Sequence, residues 1–184
     1  MALSDSELVQ KCQAGEMTAF QELASRYHQK VYMVILGLLR NREDALEVSQ
    51  ETFFRAFRKI GGFQGGSSFY TWIYRIAVNL AIDAQRRQKR NPLEFRESMD
   101  GLLESQDEVA RDPFVDVHDR ELRENLIKAI NDLTPEHKAV IVLRTIEGLS
   151  YKDIGEILGC SEGTVMSRLH YARKKLHDKL SAFL

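Results

Sequence analysis

The chain has 184 residues, 43% of them hydrophobic and 29% charged, with a formal net charge of −1; that length suits one domain or two small ones, and the composition suits a soluble protein with real cores. The near-zero charge argues at first sight against a nucleic-acid binder, yet it hides basic clusters at Arg86–Arg90 and Arg168–Lys179 with an acidic stretch between them, and local patches set an electrostatic footprint. Cys12 and Cys160 lack metal-ligand spacing and read as packing residues of a reducing cytosol, the N-terminus does not read as a signal peptide, and the most apolar run, Val31–Leu39, is too short to cross a bilayer.

In chain order every pattern is helical. Asp5 or Ser6 is placed to cap a short helix through Leu8, Val9 and Cys12 that ends at Gly15. A second helix starts near Thr18 and runs to about Leu39, with Phe20, Leu23, Ala24, Tyr27, Val31, Ile35 and Leu38 as a broad apolar stripe. The third covers Glu43–Ile60, with Ala45, Val48, Thr52, Phe53, Ala56 and Phe57 expected inward. A glycine-rich loop, Gly61–Gly66, holds Phe63 and Gln64. The fourth helix, capped by Ser67 or Ser68, runs to about Lys89 and is stopped by Asn91–Pro92, because the residue before proline avoids helical geometry.

From Leu93 to His118 the periodicity fails and acidic residues dominate, which predicts a flexible acidic linker with at most a short helix at Met99–Val109. Order resumes near Asp119, where Leu122, Leu126, Ile127, Ile130 and Leu133 share one face. Thr134–Pro135–Glu136 restarts the chain with an N-cap and a proline at the first helical position; the helix that follows carries Val140, Ile141, Leu143 and Ile146 and closes at Gly148. Residues Tyr151–His170 then read as a helix, a sharp turn and a second helix: Ser150 caps the first, Gly155 allows close approach, Gly159 suits a left-handed turn, Ser161 caps the second, and Val165 and Leu169 point inward. This is the spacing of a DNA-reading helix-turn-helix, and its second helix continues into a basic face.

The most unusual composition lies in Ser67–Arg90, where Phe69, Tyr70, Trp72 and Tyr74 precede Arg75, Asn79 and a run of arginines. Phe69 and Trp72, taken singly, read as core. The cluster with its basic continuation and glycine-rich neighbour suits an unstacked base of single-stranded nucleic acid. No nucleophilic triad, phosphate loop or paired metal-ligand motif stands out among the scattered histidines.

Taken together, AFQELASRYHQKVY, EDALEVSQETFFRAFRKI, FQGGSSFYTWIYRIAVNLAIDAQRR and LTPEHKAVIVLRTIEGLSYKDIGEILGCSEGTVMSRLHYARKKL resemble, over nearly the whole chain, an extracytoplasmic-function sigma factor of bacterial RNA polymerase. The resemblance implies an all-α fold of two small domains, region 2 over 1–91 and region 4 over 119–184, joined by the acidic linker at 92–118. It implies core-polymerase docking through Asp44, Glu47, Gln50, Glu51 and Phe53, with Glu47 standing where aspartate is common. Capture of the melted −10 element falls to Phe63, Gln64, Gly65, Ser67, Tyr70, Trp72, Arg75 and Asn79. Reading of the −35 duplex falls to Ser161, Thr164, Met166, Ser167, Arg168, His170, Tyr171 and Arg173, of which Met166 and Tyr171 stand where arginine is common. No catalysis, cofactor or metal is implied. The implied partners are core RNA polymerase, promoter DNA and an anti-sigma factor, often membrane-anchored in the family, and the implied location is the cytoplasm. Two rivals remain at this level: a helix-turn-helix regulator acting without polymerase, and a helical nucleic-acid enzyme using the carboxylates near Asp44.

Overall fold

The computed structural model describes residues 3–90 and 125–181, and among them every regular element is helical, as the sequence predicts. The front half comprises α1 (Asp5–Gln13), α2 (Met17–Leu39), α3 (Arg42–Lys59) and α4 (Phe69–Arg90), with a 3-10 turn at Ile60–Gly62 after α3. The back half comprises α5 (125–131), α6 (Pro135–Ile146), α7 (Tyr151–Leu158) and α8 (Glu162–Leu180). The expected acidic linker, its short helix, the stop at Asn91–Pro92 and the restart at Asp119 lie outside the described residues.

Local chemistry sets most boundaries. Ser4, rather than Asp5 or Ser6, caps α1, because only Ser4 has a glutamate three residues on: its hydroxyl accepts from the Glu7 N–H at 3.3 Å, and its own N–H donates to the Glu7 carboxylate at 2.7 Å. That frees Asp5 to tie α1 to α2, accepting from Arg26 at 3.0 Å and from the Tyr27 hydroxyl. Asn41 accepts from the Asp44 N–H at 3.1 Å and starts α3 at Arg42, and Ser68, not Ser67, caps α4 through the Thr71 N–H at 3.0 Å.

The front-half core is built from α2 and α4, with Leu23, Val31, Val34, Ile35, Leu38, Ile73, Tyr74 and Val78 all buried. The buried stripe of α3 is Ala45, Val48, Ser49, Thr52 and Ala56. Phe53 and Phe57 follow members of that stripe by one residue, which turns them about 100° away from it. Phe53 is therefore half-buried, stacked on His28 at 5.8 Å, and Phe57 is exposed where the sequence placed it inward.

In the back half, Thr134 accepts from the His137 N–H and Pro135 opens α6. Ser150 and Ser161 cap α7 and α8, and Gly159 takes the left-handed conformation at φ 64° between them. Gly155 has a stricter role: a Cβ there would stand 2.7 Å from the Cys160 carbonyl oxygen, so the turn folds back against α7 only because no side chain intervenes. Val165, Leu169 and Ala172 are buried on the inner face of α8.

The two halves are packed together, an arrangement of which the sequence carries no sign. Gly37 in α2 meets α6 so closely that a Cβ would lie 2.7 Å from Ile146 Cδ1 and 3.1 Å from Val142 Cγ1. Lys138 is buried at this seam, donating to the Leu38 carbonyl at 3.0 Å and to Asn131 Oδ1 at 3.1 Å; the Gln85 amide reaches the same carbonyl from α4. Nearby, Arg75 donates to the Glu156 carbonyl at 2.7 Å and Arg86 pairs with Glu136 at 3.1 Å.

Candidate nucleic-acid interface

The glycine-rich loop is held at its root. Gln13 at the end of α1 donates to the carbonyls of Ile60, at 3.1 Å, and Phe63, at 2.8 Å. Phe63 is half-buried with its ring 5.0 Å from Trp72, and Trp72 lies 5.8 Å from the buried Phe69. Phe69 is thus core, while Trp72 and Phe63 form a partly open aromatic shelf. Gln64 and Gly65 are exposed at its edge, with Gly65 at φ 72°, and Ser67 is half-buried. Backbone and π-face are both within reach of a ligand there, which suits a flat, unstacked base.

The other members of this set are placed differently. Arg75 and Asn79 are exposed on α4, but Arg75 is engaged by the Glu156 carbonyl at the seam. Tyr70 turns inward, its ring 4.7 Å from Tyr74 and its hydroxyl buried. Burial, then the carboxylates of Glu147 and Asp153, pushes its phenol above the ordinary tyrosine range. The structure therefore groups Phe63, Gln64, Gly65 and Trp72 and sets Tyr70 apart.

On α3 the acidic residues nominated for docking are partly committed. Asp44 accepts from Gln88 at 2.6 Å, and Glu51 from Arg55 at 2.6 Å. Glu47 and Gln50 are exposed, and Phe53 is half-buried. Between them runs an apolar ridge missing from the sequence-based set: Leu46 is 47% exposed and Phe54 55% exposed, flanking Gln50 at i, i+4 and i+8, with Phe57 beyond and Arg58 lying 5.7 Å over the Phe54 ring. The signal was available, since these residues repeat at helical spacing but off the core stripe. Large apolar side chains grouped on a solvent-facing ridge fit a protein partner better than DNA.

On α8 the outward face carries Met166, Ser167, His170, Tyr171, Arg173 and Lys174, all exposed. Several nominated polar groups are engaged locally. Ser161 caps the helix, Thr164 Oγ1 lies 2.9 Å from Ser161 Oγ, and Ser167 donates to the Thr164 carbonyl at 3.0 Å. Arg168 is half-buried with its guanidinium 3.8 Å from Cys160 Sγ. Tyr171 leans on His137 of α6, ring centres 4.8 Å apart. Burial, then the Arg168 charge, holds the His137 imidazole below its ordinary range, so that it carries little positive charge at neutral pH.

Comparison with known proteins identifies the family. Residues 23–91 match the family model for sigma-70 region 2, and residues 123–176 match that for sigma-70 region 4. The chain is 38% identical to the ECF RNA polymerase sigma-E factor of Haemophilus influenzae over 99% of its own length and 98% of the relative's. It is 35% identical to the ECF sigma-E factor of Escherichia coli over 99% and 97%. It is also 40% identical to the ECF sigma factor SigE of Mycolicibacterium smegmatis, covering 90% of this chain and 63% of that one. Among solved structures, CnrH in complex with the cytosolic domain of CnrY shares the fold at a TM-score of 0.70 and 24% identity, over 97% of both chains. The Bartonella quintana sigma factor RpoE, in complex with the anti-sigma factor NepR, does so at 0.63 and 24%, over 88% of this chain and 96% of that one. With both sigma-70 regions present and relatives of this similarity over nearly full length, the chain belongs to the ECF sigma factors, non-catalytic proteins that direct transcription initiation by RNA polymerase.

Proposed function

We propose that the chain divides promoter reading between its halves. Residues 1–91 dock on core polymerase through α3 and hold the melted −10 strand at the Phe63–Trp72 shelf. Residues 119–184 read the −35 element as intact duplex through the outward face of α8, and residues 92–118 connect the two. The observation that carries this reading is the pairing, on one chain, of two surfaces with different physical demands: an aromatic shelf beside an exposed glycine loop, and a polar, basic recognition helix. Extruding a base costs a few kcal/mol, which stacking on Phe63 and Trp72 offsets. Arg75 joins the −10 contacts when its bond to the Glu156 carbonyl is given up, so engagement of a promoter includes parting of the seam. The location is the cytoplasm, where polymerase acts, and the regulatory partner is an anti-sigma factor, the class of partner named for the Bartonella neighbour.

Run-off transcription with added core polymerase on a promoter library tests the whole reading: promoter-specific product is expected, and its absence overturns it. Phe63→Ala tests the shelf. Open-complex formation should fall about tenfold with core binding unchanged, and equal losses in both assays would remove the assignment.

A further inference from the structure

The outward face of α8 has an apolar centre. Met166 lies in the second turn of the helix, 55% exposed. Side chains in the N-terminal part of a recognition helix are the ones that reach base edges. Its neighbours are drawn elsewhere: Ser161 and Thr164 to the cap, Ser167 to the Thr164 carbonyl, Arg168 toward Cys160, and Tyr171 onto His137. His170 stands one turn further on, exposed on the same side. The group best presented to the groove at this level is therefore a thioether chain, which has no hydrogen to donate and accepts only weakly.

A side chain of that kind discriminates by what it covers. Set against a guanine O6/N7 edge or a cytosine amino group, it would strip water from a polar group and return no hydrogen bond. The major groove offers one apolar group, the 5-methyl of thymine. Methionine is unbranched and polarisable, so it can follow that methyl without a fixed rotamer.

We infer that Met166 packs on the 5-methyl group of a thymine in the −35 duplex and fixes one T·A pair there. This deepens the −35 reading proposed above and rests on it. Covering one methyl-sized apolar group contributes about a fourfold preference.

The test uses the full chain with core polymerase. Run-off selection first gives the preferred −35 duplex, and each thymine in it is then replaced singly by deoxyuridine, which keeps every hydrogen-bonding group and lacks only the methyl. At one position the wild-type protein should lose about fourfold in promoter binding, and Met166→Ala should bind the thymine and deoxyuridine promoters equally. Met166→Arg should shift the preference at that position toward guanine, whose O6 and N7 accept from a guanidinium. Since Met166 is exposed, neither substitution disturbs the core. Equal binding of deoxyuridine and thymine at every −35 position, a selected −35 duplex that requires no thymine, or a Met166→Ala protein that keeps the deoxyuridine penalty would overturn the inference. Failure of the selection to yield any product would instead sink the promoter-reading proposal itself.

Discussion

The two halves solve opposite surface problems with the same kind of helix. In the front half, α3 buries a stripe of small residues, Ala45, Ser49, Thr52 and Ala56, and leaves Leu46, Phe54 and Phe57 in solvent. In the back half, α8 buries Val165, Leu169 and Ala172 and leaves serine, histidine, arginine and lysine in solvent, with Met166 and Tyr171 as its apolar exceptions. An exposed apolar ridge on one helix and an exposed polar face on the other are the contrast on which the proposed division between a protein partner and a nucleic-acid partner rests. Neither distinction follows from the helices' inward faces, which are what fold them.

That contrast can be broken from either side. The largest effect is expected from Gly155→Val, which drives a side chain into the Cys160 backbone; the back half should lose about 3 kcal/mol in urea denaturation, while core-polymerase binding through α3 persists. Phe54→Ala should do the reverse. Polymerase affinity should fall about thirtyfold, the scale of an interface anchor, with an unchanged melting temperature, because Phe54 lies outside the core. Ser161→Ala removes the α8 cap and should cost about 1 kcal/mol of back-half stability, seen as a lower urea midpoint. Arg173→Ala should weaken −35 duplex binding across all sequences and reduce the salt slope by about one unit; an unaltered slope would take Arg173 out of the phosphate contacts. The smallest effect is on pH dependence. His137 is less basic folded than unfolded, so the unfolded chain takes up its proton first as pH falls. Stability present above the ordinary imidazole range is then lost as pH drops through it, and His137→Gln should flatten that slope.

What is legible in the sequence is local. Gly159, Ser150, Ser161 and the Thr134–Pro135 pair define their turns and caps within three or four residues, and each is found where the pattern puts it. Ser4 escapes such a reading because its glutamate partner decides between neighbouring cap candidates. Phe57 is misplaced by it because a one-residue offset on a helix is a large rotation, and a stripe of small residues is harder to recognise than one of leucines. The −10 set looks uniform in sequence, yet tertiary packing divides it: Trp72 opens toward solvent beside Phe63, and Tyr70 closes against Tyr74. The seam between the halves is invisible for the same reason, since Gly37, Lys138 and Leu38 meet only once both halves are folded.

Lys138 gives that seam an unusual character. Its ammonium donates across the seam to the Leu38 carbonyl at the end of α2 and, within its own half, to the Asn131 side chain, so a single side chain links three helices. Because that bond is directional while the apolar contact at Gly37 is not, it sets the rotational register in which α6 meets α2.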